Sequence, residues 1–413
     1  MATKKKEEVK NNYLTAILEF IGIIIAVIII EVFFQGTVIC NIVTLLLMLT
    51  LLITVHEWGH FIMCKKFGVH VYEFAIGMGP KLIEFRRKND PTVYTIRALP
   101  IGGYNQLAGE QEEDDKKLKK DQFLCNKPKL QKIIILCAGV FMNCVTAIVL
   151  LFIISLSFGY TEQRSILGKI DTDSPAYEAG LREGDTIIEY NGQKVSTWDE
   201  ITIIGALKNQ PTDKTYKVIH EDGTEGTYTV SPVDYVVYEN DYFRVTEEKT
   251  KAKIAEELKV EEKDLKDTKL VGVSQSSKRY TGFVNAVKYA FTKFWGLTKL
   301  LVKTLVYLFT GQIGMESLSG PVGMYKVVGQ ASKYGIANII FLTAYLSINL
   351  AIINILPFPA VDGGHVLFVI IEAITGKKVS PAVENIFHTI GFILFFLLLI
   401  IITGHDIWSL FGK

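Results

Sequence analysis

The chain has 413 residues, a formal net charge of +1, 49% hydrophobic and 21% charged residues, and a mean hydropathy of +0.28. Its apolar content excludes a disordered chain, its charge balance argues against a nucleic-acid binder, which carries a basic excess, and its five cysteines are too few for a disulfide scaffold. Positive hydropathy beside ordinary charge content implies membrane segments plus at least one soluble region, and the length allows two or three domains.

The apolar residues fall into five blocks: Tyr13–Phe34, Val38–Met63, Ile133–Phe158, Ile336–Pro359 and Ile386–Thr403. A hydrocarbon core of about 30 Å needs roughly 20 helical residues, so each block can span. The first block follows Lys4, Lys5 and Lys6. It is long for a signal-peptide core and no A-x-A-like site follows it, so it is expected to stay as an uncleaved anchor. Basic residues in short loops mark the cytosolic side. Lys4, Lys5, Lys6 and Lys10 put the N-terminus there. Residues 65–130 carry 13 Lys and Arg, including Lys116 and Lys117, and return to the same side, as do Lys377 and Lys378. Residues 159–282 carry 17 basic and 24 acidic residues and fall outside.

The expected fold is a multi-pass α-helical membrane protein with a membrane-associated β-hairpin region and an inserted extracytoplasmic domain. Residues 1–37 form the tail and the extra anchor, and 38–68 the second span. Residues 69–130 form a cytosolic hairpin region and charged loop, with turns at Gly77–Pro80 and Asn89–Pro91, and 131–158 a span. Residues 159–282 form the outer region, 283–334 an interfacial helix and connector, 335–376 a span with a proline-rich motif, and 385–404 the last span.

Within the outer region, residues 166–230 read as short strands and turns. Ser174-Pro175-Ala176 is a helix start and Gly180 its stop. Thr186–Tyr190 is a strand, and Asn191-Gly192 is a strong hairpin signal. Asp199-Glu200 opens a second helix. This order resembles a PDZ domain of the bacterial membrane-protease kind, which captures peptide ends by strand addition. Leu167 and Gly168 lie where that family's binding loop would be. Residues 247–269 are so charged that a solvated helix or linker is expected. In 283–309, Phe283, Val287, Ala290, Phe291, Phe294, Leu297, Leu301 and Leu305 recur at helical spacing. Lys288, Lys293, Lys299 and Lys303 lie between them. That pattern predicts a helix on the outer membrane surface, its lysines reaching headgroups.

The sharpest motif is His56-Glu57-Trp58-Gly59-His60, inside the second span. On a helix, His56 and His60 share a face one turn apart. They can bind one zinc ion while Glu57 serves as general base. Such a motif arises by chance in roughly one chain in a hundred of this composition, so its setting matters. Ionisable residues within a span are costly and functional by default. A buried hydrogen-bonded network or a proton relay are the bland alternatives. A third ligand must come from elsewhere, because zinc hydrolases use three protein ligands and leave a fourth position for water. The stretch Asn354-Ile355-Leu356-Pro357-Phe358-Pro359-Ala360-Val361-Asp362-Gly363-Gly364-His365 puts Asp362 at membrane depth among helix breakers. Asp362 could instead cap the helix that follows, and His365 could compete as a ligand. Topology brings His56 and Asp362 to similar depth, nearer the cytosol.

HEWGH in one span, NILPFPAVDGG in a later one and a PDZ-like domain between them resemble the site-2 protease family of intramembrane zinc metalloproteases, in its bacterial RseP/RasP-type branch. Gly77-Met78-Gly79-Pro80 and Leu99-Pro100-Ile101-Gly102-Gly103-Tyr104 resemble two further segments of that family. The resemblance covers roughly residues 40–404. It implies zinc held by His56, His60 and Asp362, Glu57 as catalytic base, and Asn354, Gly102 and Gly103 as substrate-binding residues. It also implies single-span membrane substrates, such as anti-sigma factors trimmed by a site-1 protease or remnant signal peptides. The place would be a bacterial plasma membrane, and the PDZ-like domain would bind a peptide ligand or gate access. The sequence departs from the family in its extra first span, in Asn105 where an apolar residue is usual, and in Val361 before Asp362. The competing readings are a catalytically silent membrane scaffold presenting a PDZ domain, and a proton-relay transporter. The intact His56, Glu57, His60 and Asp362 set argues against the first, and the lack of an inverted repeat of spans against the second.

Overall fold

The computed structural model describes residues 37–109, 118–208, 210–238, 241–247, 249–314 and 318–411. The expected first span Tyr13–Phe34, the N-terminal lysines, and Lys116 and Lys117 lie outside the described residues. Helix α1 (Val38–Lys66) leads into a long hairpin, β1 (Val71–Arg86) and β2 (Val93–Leu107), followed by α2 (Lys129–Phe158). Then come β3 (Tyr160–Thr161), α3 (Pro175–Ala179), β4 (Thr186–Tyr190), β5 (Gln193–Lys194), α4 (Trp198–Gly205), β6 (Lys214–Ile219) and β7 (Glu225–Val230). They are followed by β8 (Val233–Tyr238), β9 (Asp241–Arg244), α5 (Lys251–Leu258), β10 (Lys266–Leu270) and β11 (Arg279–Tyr280). Helices α6 (Phe283–Phe309), α7 (Pro321–Lys333), α8 (Ile336–Ile355), α9 (Asp362–Thr375) and α10 (Pro381–Phe411) complete the described chain. The elements form two compact units, one of them Ser155–Gly314.

Among the described residues, four helical stretches are long and apolar enough to cross a membrane: α1, α2, α8 and Ala382–Trp408 of α10. They answer to the second to fifth apolar blocks. Helix α8 stops at Ile355, short of its block, because Pro357 forces the preceding Leu356 into an extended conformation (ψ 140°). The side chains of α10 from Phe392 to Leu398 are exposed within the chain, a surface suited to lipid. Buried Asp406 of α10 accepts a 2.7 Å hydrogen bond from the Gly323 N–H in the first turn of α7. A negative charge is favoured at that end of a helix.

The hairpin folds back on itself. Phe74 pairs with Asn105 on one side and Tyr94 on the other, and Ile83–Arg86 return to Val93–Ile96. The expected reversals carry the positive φ angles they need: Gly77 at 81°, Gly79 at 85° and Asn89 at 65°. A Cβ on Gly77 would lie 2.6 Å from the Leu99 carbonyl oxygen, so glycine is required there. At the doubled-back end, Met78, Leu82, Leu99 and Ile101 expose an apolar tip.

In the Ser155–Gly314 unit, a four-stranded sheet runs β5–β4–β6–β7. Ser174 caps α3, Gly180 ends it in the left-handed region, and Asn191 and Gly192 both take positive φ in the β4–β5 turn. Leu181, Ile187, Ile204 and Val218 form its buried core. Three expectations are refined here. Leu167 and Gly168 do not offer free main-chain donors: their N–H groups donate to Asp185 O and Ser274 O, both at 2.8 Å, and Leu167 is buried. Of the expected solvated helix or linker, residues 247–269 hold the helix, largely exposed but packed along one side. They contain α5, whose Ile254 and Ala255 bury against Val236 and Leu265 beside a sheet ordered β10–β8–β9. The few apolar residues among the charges are spaced to one side, enough for a small core. Finally, α6 is a helix as predicted, but Lys293 and Lys303 turn toward the sheet domain. Lys293 Nζ, 9% exposed, donates to Asp199 Oδ2 (2.7 Å) and Gln163 Oε1 (2.6 Å), and Lys303 Nζ to Glu200 Oε1 (2.7 Å).

Truncating Ile254 to Ala should destabilise the β8–β10 region by about 2–5 kcal/mol and speed trypsin cutting between residues 249 and 269 in the full chain; unchanged proteolysis would restore the linker reading. Glu162 is buried and accepts hydrogen bonds from Arg164 and the Tyr280 hydroxyl. The Arg164 guanidinium, acting against burial, holds its carboxyl down to about 2 from 4.5. A depressed carboxylate stabilises above its unfolded value and loses that contribution as pH falls through its folded one. Melting of Glu162→Gln should therefore show a shallower loss of stability than the parent between about pH 4.5 and 2.

Candidate metal centre

His56 and His60 lie one turn apart on α1, both buried. Asp362, the first residue of α9, meets them although it lies 306 positions from His56 in sequence. Its Oδ2 is 2.9 Å from His56 Nε2 and 3.3 Å from His60 Nε2, and the two Nε2 atoms are 3.1 Å apart. The cap reading of Asp362 does not hold, since its carboxylate is directed to the histidines.

The loop from α8 to α9 fixes that carboxylate. Ala360 adopts φ +69°, which costs a residue with a Cβ about 1 kcal/mol or more. Its N–H donates to His388 Nδ1 of α10 at 3.0 Å, which holds the strained turn in place. Gly363 and Gly364 lie so close to the loop carbonyls of Leu356 and Phe358 that a Cβ would come within 2.0 Å and 2.4 Å of them. The two prolines therefore end one helix and the two glycines let the next begin against it.

Hydrogen bonds on the far side of each imidazole decide whether a metal fits. His60 Nδ1 lies 2.8 Å from the Ile135 carbonyl oxygen, which can only accept, so Nδ1 carries a proton and Nε2 is the nitrogen left to a metal in the neutral ring. His56 Nδ1 lies 3.2 Å from the buried side-chain amide of Asn143 on α2. Amide orientation follows from the network. With its otherwise unpartnered Oδ1 turned to His56, Asn143 accepts from Nδ1–H, and Nε2 is again the nitrogen left to a metal. Two imidazole nitrogens that a neutral ring offers to a metal and one carboxylate oxygen then converge. Tetrahedral zinc with bonds of about 2.0–2.2 Å holds its ligand atoms about 3.3–3.6 Å apart, slightly wider than the observed 2.9–3.3 Å. The donor set fits zinc.

Asn143 and Gly139 are functional residues that sequence reasoning missed. A Cβ on Gly139 would fall 2.5 Å from His60 Nε2 and 2.6 Å from His56 Cε1, and one on Gly59 would fall 2.3 Å from the Ala138 carbonyl oxygen. Two glycines thus let α1 and α2 cross closely enough for the Ile135 carbonyl and Asn143 to reach the histidines. The available signal was a polar residue four positions after a glycine inside an apolar span. Glu57 is held from the hairpin, its carboxylate accepting from Asn105 Nδ2 at 2.8 Å. Gly102 and Gly103 are buried against Ile53 and Thr54 of α1, one turn before Glu57. Asn354 is half-buried in the last turn of α8 and takes no part in the hydrogen bonds around the histidines.

His365 is not brought to this centre. Its ring stacks on His388 at 3.9 Å and its Nδ1 lies 3.0 Å from Glu384 Oε1. His365, Glu384 and His388 make a second group of possible ligands. His388 Nδ1 accepts from Ala360 and therefore leaves its proton on Nε2, so neither nitrogen is open to a metal; the group ties α9 to α10 instead.

Removing the partner of a ligating histidine typically weakens metal binding roughly 10- to 100-fold. Asn143→Ala should do so here, read by chelator competition on the purified protein, while Asn143→Asp, which still accepts from Nδ1–H, should keep most of the affinity. Equal zinc affinity in Asn143→Ala would contradict this assignment.

A match to peptidase family M50 covers residues 44–398. Zinc metalloprotease RasP of Oceanobacillus iheyensis is 30% identical, over 90% of this chain and 99% of its own length. Zinc metalloprotease RasP of Shouchella clausii is 32% identical, over 88% and 97%. The regulator of sigma-W protease RasP of Bacillus subtilis is 30% identical, over 87% and 96%. With a metal-competent centre on membrane-spanning helices and these likenesses over nearly its whole length, the chain belongs to peptidase family M50, the site-2 proteases, and is an intramembrane zinc metalloprotease.

Proposed function

We propose that His56, His60 and Asp362 hold the zinc, that Glu57 is the general base, and that the substrate is the transmembrane segment of a single-span membrane protein, cut near the cytosolic side. The observation that carries this reading is the convergence of two imidazole nitrogens and a carboxylate oxygen, next in sequence to Glu57, on helices that include one of spanning length. His56, His60 and Asp362 would hold the zinc, which would supply Lewis-acid polarisation of the scissile carbonyl and of the attacking water. Glu57 would accept the proton of the attacking water and return it to the leaving amine as the C–N bond breaks. A helix hides its carbonyls in i→i−4 bonds, so the substrate must be extended before it is cut. The bend of β2 at Leu99–Tyr104, with Gly102 and Gly103, packs on α1 just before Glu57, which supports a role in receiving an unwound strand. Asn354 is proposed to hold that strand from the end of α8.

The sorting of basic residues supports a centre closer to the cytosol and an extracytoplasmic position for residues 159–282. The fold of residues 166–230 supports the PDZ-like reading, with the domain gating access of substrates already trimmed outside. Anti-sigma-factor-like proteins and remnant signal peptides are the substrate classes this implies. The name of the Bacillus subtilis relative, a regulator of sigma-W protease, supports the former. The plasma membrane of a bacterium is the proposed location.

Co-expression of a tagged single-span substrate with the parent, Glu57→Gln and Asp362→Asn tests the reading. Cleavage should fall at least roughly 100-fold in Glu57→Gln and be lost in Asp362→Asn, and the cut should map to the cytosolic half of the span. Equal cleavage by all three, or a cut in the outer half, would contradict it.

A further inference from the structure

We propose that Asn105 is the residue that positions the general base. This rests on the assignment of Glu57 above and adds the group that sets its geometry. Asn105 Nδ2 lies 2.8 Å from Glu57 Oε2 and 2.6 Å from the Glu57 carbonyl oxygen. Both neighbours can only accept, so the amide must present its NH2 group, and its orientation is fixed. One side chain thereby ties the carboxylate of Glu57 to the residue's own backbone, closing a rigid ring around the torsions that would otherwise let the carboxylate swing.

The clamp comes from outside α1. Asn105 lies in β2, paired with Phe74 of β1, and Phe74 and Ala75 are buried, so the strand that carries the amide is itself anchored. Asn105 Oδ1 is buried without a partner. An apolar side chain of similar size would avoid that unpaired acceptor, so local stability does not account for an asparagine here. The two donated bonds do. One goes to the backbone carbonyl and one to a single carboxylate oxygen, and the other carboxylate oxygen remains for proton exchange. A base held in one orientation before substrate arrives needs no rearrangement during the reaction.

The test uses the purified full chain with a single-span substrate and compares the parent, Asn105→Val, Asn105→Asp, Glu57→Gln and the Glu57→Gln/Asn105→Val double variant. Asn105→Val should lower kcat roughly 10- to 100-fold, the contribution of a hydrogen bond to a charged group, with KM, zinc content and Tm unchanged. Asn105→Asp keeps the shape but has no donor, so it should lose at least as much kcat. In the Glu57→Gln background, Asn105→Val should produce no comparable further loss, because there is no carboxylate left to orient. Parent-like kcat in Asn105→Val, a rise in KM alone, loss of zinc, or an equal additional loss in the Glu57→Gln background would each overturn the positioning role while leaving the function of Glu57 intact. Equal cleavage by the parent and Glu57→Gln would overturn both.

Discussion

His56 Nε2, His60 Nε2 and Asp362 Oδ2 lie 2.9–3.3 Å from one another inside the protein. Three hydrogen-bond acceptors at that spacing repel unless a proton or a cation lies among them, and buried acceptors cannot turn to water for relief. The contacts behind the imidazoles place protons on their far nitrogens, which leaves the near ones fit to hold a cation. Much of the membrane part of the fold can be read as the means of holding this unfavourable arrangement together. The close crossing of α1 and α2 at Gly59 and Gly139 supplies the partners of the histidines. The strained Ala360 turn, pinned by His388, supplies the carboxylate.

The same logic explains why a hairpin accompanies the helices. A zinc site inside a spanning helix can activate water, but it cannot by itself hold an extended peptide or orient a base. The doubled-back β1–β2 structure brings a second set of backbone and side-chain groups against the stretch of α1 from Thr50 to Glu57. Its apolar tip of Met78, Leu82, Leu99 and Ile101 suits insertion beside lipid, while Asn105, on the strand of Leu99 and Ile101, reaches Glu57. Strand geometry puts alternate residues on opposite faces, so one element can meet both environments.

Much of this was legible in the sequence because it rests on strong local signals. HEWGH gives two histidines on one helical face, and Pro357, Pro359, Gly363 and Gly364 announce a broken helix around a carboxylate. Ser174, Gly180 and Asn191-Gly192 mark cap, stop and turn, all of which the structure uses as read. What was not legible depends on contacts between distant segments. Gly139 and Asn143 matter only because α2 crosses α1 at that level. Residues 247–269 carry their apolar side chains sparsely, and only the meeting of Ile254 with Val236 and Leu265 turns a charged stretch into a packed one. The N–H groups of Leu167 and Gly168 are taken by Asp185 and Ser274, contacts between separated segments that no local pattern reports.

X-ray absorption at the zinc edge of the purified protein reports the ligand atoms themselves. It should show one zinc per chain with only nitrogen and oxygen neighbours at about 2.0–2.2 Å, imidazole scattering among them. Sulfur neighbours at about 2.3 Å would place the metal on cysteine instead and contradict the proposed zinc centre, as would a protein that cleaves substrate without zinc.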